Sequence, residues 1–268
     1  APRVHNRMKF ELANMTWPEA KEAFDAEAVV ILPVGSTEPH GPHLPLNTDV
    51  TIAMAQARAA AAQLDAEGVR CVIAPPVAYG LTNFTEGFAG RLTIRPGTLF
   101  SLVEDILLAL GQEGCKRVVL SNAHLEPAHI KVLRSLIVDF AGPDCHPDTT
   151  APMAIFPDNT RRRWAATLGD EFKSGECHAG CYEASIVMAA DPAQVREDKM
   201  RELPAVDLNL IESMQSGVST FVEMGSEAAY NGNPAAASAE EGNERIAALA
   251  EMICTSVRET WPELFGAQ

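Results

Sequence analysis

Short, almost wholly apolar runs alternate along this chain with longer segments whose apolar residues recur every three or four positions. The run "AVVILPV" (28–34) predicts a buried strand, since no polar position interrupts it. "DVTIAMAQARAAAAQLDAEG" (49–68) predicts an Ala-rich helix that stops at Gly68. The pairing then returns, with "VRCVIAPPV" (69–77) as a strand and "GTLFSLVEDILLALGQEG" (97–114) as a helix. "KRVVLSN" (116–122) predicts a third strand, and Pro127 suits the first turn of a helix running to about Phe140. "APMAIF" (151–156) is a fourth strand, "EASIVMAA" starts a further helix, and 239–259 forms the last long one. Segment 157–182 reads as polar loop, and 191–238 as loops and short elements over the sheet.

Strands and helices alternating through short connections imply an α/β protein, with a mostly parallel central sheet covered by helices on both faces. A chain of 268 residues can bury one large core, so a single domain over 1–268 is expected. Apolar residues at 47% and charged residues at 21% do not alter that picture. No apolar run reaches the roughly 18 residues of a membrane span. The opening "APRVHNRMKFELANMTW" lacks the apolar core of a signal peptide. Charge narrows the partners: a formal net charge of −15 disfavours nucleic acid and anionic membrane surfaces. Six scattered cysteines suit reduced thiols in a cytoplasm better than a disulfide framework. Cys177 and Cys181 flank "HAG", but zinc there would want two more soft ligands nearby and none is evident.

The chemistry gathers where strands end. In "VGSTEPHGPHLPLNTDV" (34–50), Pro39, Pro42 and Pro45 rule out a helix, leaving a stiff loop that carries Glu38, His40, His43 and Asp49. Ligands of open α/β sheets bind beyond the carboxyl ends of the strands. The loop after the third strand, "SNAHLEP", should therefore bring His124 and Glu126 to the same edge. Mixed imidazole and carboxylate ligands suit zinc or manganese, and a carboxylate can bridge two such ions. "ECHAGCYEAS" adds His178 and Glu183 from a loop leading into a helix. Taken singly, Asp49 could simply cap its helix. Packing gives no reason, however, for E-x-H and H-x-E to follow two strands in reverse order. His43 reads as a supporting group or loop anchor, and His5, His129 and His146 as having no catalytic role.

"VGSTEPHGPHLPLNTD" closely resembles the signature of the creatininase (creatinine amidohydrolase) family. The resemblance continues through "PPVAYGLTNFTEGFAGRLTIRPGTL", "SNAHLEPAH", "HAGCYEAS" and "YNGNPAAASAEEG", spanning roughly 28–245. It implies a three-layer α/β/α sandwich, a binuclear centre of two divalent ions (zinc and/or manganese), and a homo-oligomer, commonly a hexamer built as a trimer of dimers. It implies metal ligands Glu38 and His124 on one ion, His40 and Glu126 on the other, and Asp49 bridging. His178 is then the proton-handling catalytic group near a small-molecule substrate, with the carboxylates Glu183 and Glu126 supporting it. The implied reaction is attack of a metal-bound hydroxide on a carbonyl, with His178 protonating the leaving nitrogen. Cleavage of a C–N bond in a small, cyclic amide follows.

The chain also departs from the family pattern. Ala123 stands where Gly is common, Pro127 where Asn is usual, Thr85 where a His often lies, and Cys181 where many members carry Glu. Creatininases close an indole-bearing loop over a flat ring, yet "GDEFKSGEC" before His178 has no Trp, which points away from creatinine. The same centre also serves family members that hydrolyse a formamide, trim a peptide, or open a cyclic polyol ketone at a C–C bond. Two rivals are not hydrolases. A noncatalytic metal-binding protein would have no need of His178 and Glu183, and a dinucleotide enzyme would want a G-x-G-x-x-G after the first strand, which is lacking.

Overall fold

The first apolar run folds as β1 (Val29–Val34), with every residue buried. Its pleat splits the core in two. Val30, Leu32 and Val34 face one way, against Leu99, Leu107, Leu133 and Phe140. Val29 and Ile31 face the other way, against Ala57, Leu64, Ile253 and Val257. Both faces are therefore covered, which is why the strand shows no polar alternation. The computed structural model describes residues 9–175, 178–208, 210, 213 and 216–266. His5 and Cys177 lie outside them, and so does the pairing of Cys177 with Cys181 as zinc ligands.

In chain order, α1 (Trp17–Asp25) precedes β1, and α2 (Thr48–Ala66) follows it. Then come β2 (Cys71–Ile73), α3 (Pro96–Gln112), β3 (Arg117–Asn122), α4 (Pro127–Asp139) and β4 (Met153–Ile155). Two longer helices remain, α5 (Cys181–Ala190) and α6 (Ala239–Thr260). The four strands form one parallel sheet in the order β2-β1-β3-β4. Helices α3 and α4 cover one face, while α2 and α6 cover the other, with α5 packed outside them. The protein thus has the α/β, three-layer architecture expected of it. No helix among the described residues is long and apolar enough to cross a membrane.

Two expectations from the sequence are modified. β2 is shorter than 69–77 because Pro75 and Pro76 cannot donate to the ladder, leaving only a single bridge between Val34 and Val77 beyond it. Segment 157–182 is not all loop: it holds short helices at Arg162–Ala165 and Asp170–Ser174, too brief to show periodicity.

The chain crosses from β2 to β3 on the other side of β1, so the strand order reverses between β1 and β3. Such a reversal splays the two following loops apart and opens a crevice at the carboxyl ends of the strands. Val34 and Asn122 are partners at the end of that pair, and the chemically loaded loops begin immediately after them.

Candidate metal centre

Gly35 fixes where the first loop can go. A Cβ there would lie 2.7 Å from the Val50 nitrogen and 2.9 Å from the Asp49 carbonyl carbon, so only glycine lets α2 start against the end of β1. Asp49 falls in the first turn of α2 and is 1% exposed. It is thus presented at the strand edge instead of capping its helix from outside; Asn47 is the N-cap residue. Asp49 then faces two histidines at once. His40 Nε2 lies 3.2 Å from its Oδ1, and His124 Nδ1 lies 2.9 Å from its Oδ2.

The remaining ligand-type groups sort around these two nitrogens. Glu38 Oε1 is 3.2 Å from His124 Nδ1, and Glu183 Oε2 is 3.5 Å from His40 Nε2. Three groups of potential ligand atoms result: Glu38–Asp49–His124 and His40–Asp49–Glu183, which share Asp49, and Glu38–His40–His178. The resemblance implied His40 with Glu126, and here the structure differs. Glu126 accepts hydrogen bonds from the Asn83 backbone (2.6 Å), the Asn83 side chain (2.7 Å) and the Phe84 backbone (3.4 Å). Its oxygens are held by the 83–84 loop, whereas Glu183, one turn after His178, reaches His40.

Each histidine is oriented from behind. His40 Nδ1–H donates to the Glu38 carbonyl (3.0 Å), and His124 Nε2–H donates to the Leu81 carbonyl (2.5 Å). The ring nitrogens left over point at carboxylates. A lone pair facing carboxylate oxygens is repulsive unless a proton or a cation lies between them. Burial opposes charge on His40, yet Asp49 and Glu183 raise its imidazole to about 10. His124 is raised well above the ordinary range in the same way, against the cost of burial, by Glu38 and Asp49. Burial would raise the Asp49 carboxyl, but His40 and His124 pull it well below the carboxylate range. Glu183, with burial as the larger influence, rises to about 8. His40 Nε2 and Asp49 Oδ2 are buried and make no hydrogen bond. This nitrogen-and-oxygen donor set, with buried and unsatisfied atoms, fits a pair of divalent cations.

His178 completes the edge. Its Nε2–H donates to the Pro39 carbonyl (3.0 Å), leaving Nδ1 free 4.0 Å from Glu38 Oε1. Burial and the neighbouring His40 lower its imidazole to about 4, so the ring is neutral. Phe221 stacks on it at 4.6 Å, and Ala179 behind it adopts a left-handed φ of 52°, tied by its N–H to Glu183 Oε2 (2.6 Å). A cavity of about 350 Å³ opens over the cluster, walled by Phe84, Leu125, Phe172, Leu210 and Phe221. Sequence reasoning missed Phe221, since nothing in 191–238 marks it. Asn83 and Phe84 lay within a quoted motif, but without a side-chain type that signals a role.

A model of the creatininase (creatinine amidohydrolase) family matches residues 13–257. The mycofactocin precursor peptide peptidase of Mycolicibacterium smegmatis is 33% identical over 242 residues, covering 87% of this chain and 85% of that relative. The creatinine amidohydrolase of Pseudomonas putida is 26% identical over 214 residues, covering 72% of this chain and 76% of that one. Among solved structures, creatinine amidohydrolase superposes with a TM-score of 0.71 at 20% identity, over 94% of this chain and 98% of the other. One described as "Creatininase Mn" gives 0.69 at 21% identity, over 94% and 98%. Fold, motif order and matched length agree, and the chain belongs to the creatininase family of hydrolases, with a cluster of metal-ligating residues at its strand edge.

Proposed function

We propose that this chain, acting as one domain, is a metal-dependent hydrolase that cleaves a C–N amide bond. The observation that carries the reading is the pair of His–carboxylate sets sharing Asp49 at the floor of an apolar cavity. One ion would be held by Glu38, Asp49 and His124, and the other by His40, Asp49 and Glu183. Zinc and manganese both suit these donors, and a structural relative is described by manganese. When bound, the ions would supply an acidified water and a polarised carbonyl.

The chain's own groups handle protons and exclude solvent. Glu126 lines the cavity with its carboxyl raised by burial, which suits it to take a proton from the attacking water. His178 is held by Pro39 so that its Nδ1 stays available; it would move a proton at that atom to the departing nitrogen. Phe84 and Phe221 keep bulk water from the reacting groups. Glu183, expected as a supporting catalytic group, is better used as a ligand, and Glu126 exchanges places with it.

The amide is proposed to belong to a peptide instead of creatinine. Two features support this: the identity to peptide peptidases is higher than to creatinine amidohydrolase, and the wall before His178 is Phe172, Lys173 and Gly175 with no indole. Lys173 is the one cation on the cavity wall among the described residues, and it would receive an anionic end of the substrate. The test is a screen of metal-reconstituted protein against short peptides, cyclic amides, formamides and cyclic polyol ketones, with product masses read out. Release of a peptide fragment is expected. Turnover confined to the polyol ketone would overturn the amide reading, and no turnover in protein carrying two ions would favour a noncatalytic metal-binding role.

A further inference from the structure

Behind His124 four polar groups, all buried, close on one another. His124 Nε2–H donates to the Leu81 carbonyl (2.5 Å), and the Leu81 N–H donates to His129 Nδ1 (3.4 Å). His129 Nε2–H donates to Asn122 Oδ1 (3.1 Å), and Asn122 Nδ2 donates back to the His124 carbonyl (2.7 Å). The donor directions agree all the way round. His129 needs its proton on Nε2 and a lone pair on Nδ1, and burial keeps it neutral, well below the usual histidine range. Asn122 needs its oxygen towards His129 and its nitrogen towards the carbonyl, which one amide orientation satisfies. His124 then carries its proton on Nε2 and turns Nδ1 to Glu38 and Asp49. The two rings meet edge to face at 4.8 Å, and Gly80 leaves room for the contact, since a Cβ there would lie 2.6 Å from His129 Nδ1.

The two proposed imidazole ligands are therefore secured differently. His40 is fixed within its own loop, by a carbonyl two residues away. His124 depends on a carbonyl from a separate loop, 43 positions earlier, and that loop is itself held through His129. A histidine serving only to fill space would be a poor choice at 0% exposure, where each of its nitrogens demands a partner. Its polarity is used on the one residue whose carbonyl orients His124.

We propose that His129 is a positioning residue of the metal centre. Through Leu81 and Asn122 it fixes the tautomer and direction of His124, and so sets the affinity of the ion held by Glu38, Asp49 and His124. The ion held through His40 is not reached by this circuit. The proposal rests on the reading of His124 as a ligand.

The experiment titrates metal-free wild type, His129→Leu, His129→Gln, Gly80→Ala and His124→Ala with Co²⁺. Ligand-field absorption gives the affinities, elemental analysis the count of ions, and melting of each metal-free protein the fold. In His129→Leu one ion should bind as in wild type and the other about 10- to 100-fold more weakly, the usual effect of losing a group that orients a ligand. Gly80→Ala, which crowds the same ring, should shift the same ion in the same direction by less. His129→Gln, which keeps a donor for Asn122, should recover part of the affinity. Wild-type affinity for both ions in His129→Leu, or equal weakening of both, would overturn the proposal. Should His129→Leu fail to fold, Gly80→Ala decides on the same reading. If His124→Ala keeps both ions, the ligand assignment fails instead; if it loses one while His129→Leu is unaffected, only the positioning role fails.

Discussion

The strand edge and the cavity wall are neighbours built on opposite plans. At the edge, Glu38, His40, Asp49, His124 and Glu183 are each 3% exposed or less, and backbone carbonyls hold the two histidine rings from behind. Their chemistry is charged; four of them follow the ends of parallel strands β1 and β3, and Glu183 reaches in from the first turn of α5. The wall is assembled from short helices and loops, and its surface is mostly apolar, with Phe84, Phe172 and Phe221 its largest side chains. It joins the edge at few places. The most telling is Glu171, whose carboxylate accepts from the Cys181 (2.8 Å), Tyr182 (2.5 Å) and Asn233 (2.8 Å) backbone N–H groups. That one side chain ties the wall segment holding Phe172 and Lys173 to the start of α5, from which Glu183 reaches inward. The edge can keep one chemistry while the wall changes what is brought to it, as expected where function is carried by loops on a rigid scaffold.

The comparison breaks most readily at Asp49. It is the carboxylate common to both sets, so Asp49→Asn should lose both ions and all measurable turnover while keeping the shape of the side chain. Elemental analysis and turnover of the reconstituted protein check this. Retention of one ion would mean that the two sets are independent, and that the edge does not act as one unit. Chelation of wild type should act alike on stability: removing ions present at about 1,000 times their dissociation constant costs about 4 kcal/mol per site. In a chain of this size that lowers the melting midpoint by about 10 °C for each site emptied. An unchanged melting curve after verified ion removal would show that the buried carboxylates need no cation.

A second division lies within the edge itself. His178→Ala should keep both ions, because Nδ1 stands 4.0 Å from Glu38 and the other two sets are complete without it. Turnover should fall by about 10²- to 10⁴-fold, the range of a positioned acid–base group. His124→Ala should instead lose activity together with an ion. If His178→Ala loses an ion, His178 belongs to the set with Glu38 and His40, and its role changes to ligation.

These contrasts explain what could be read from the sequence. Strands buried on both faces and the E-x-H and H-x-E spacings report backbone direction and local chemistry, so the sheet and the meeting of the two loops at its edge were legible. The approach of Glu183, in place of Glu126, to His40 was not. Both are carboxylates near a histidine in sequence, and only the hydrogen bonds from Asn83 and Phe84 show that Glu126 is already held. The sequence assigns His129 no catalytic role and gives no sign of a positioning one, because a lone histidine on a helix has no pattern around it; its partner Leu81 lies 48 positions away. Phe221 and the short helix Asp170–Ser174 carry no periodicity at all, which is why the wall remained dark.

The smallest effect is expected at the wall, and it tests whether the wall selects the substrate. Among the described residues the Lys173 ammonium pairs with Asp170, at 3.0 Å, and the Asp170 side chain is 99% exposed. Such a surface ion pair is worth about 1 kcal/mol or less, so a substrate carboxylate can displace it at little cost. Lys173→Met preserves the length and the apolar stem while removing the charge. It should lower kcat/KM about tenfold for a peptide with a free terminal carboxylate, a loss of about 1.4 kcal/mol in binding. The same peptide with an amidated terminus should show no difference between wild type and variant, since there is no charge for Lys173 to meet. Most of the loss should fall on KM, because the contact is made far from the reacting atoms and is equal in ground and transition states. An equal fall for both peptides would show that Lys173 supports the wall as a scaffold, and the substrate's anionic end would then have to be read elsewhere.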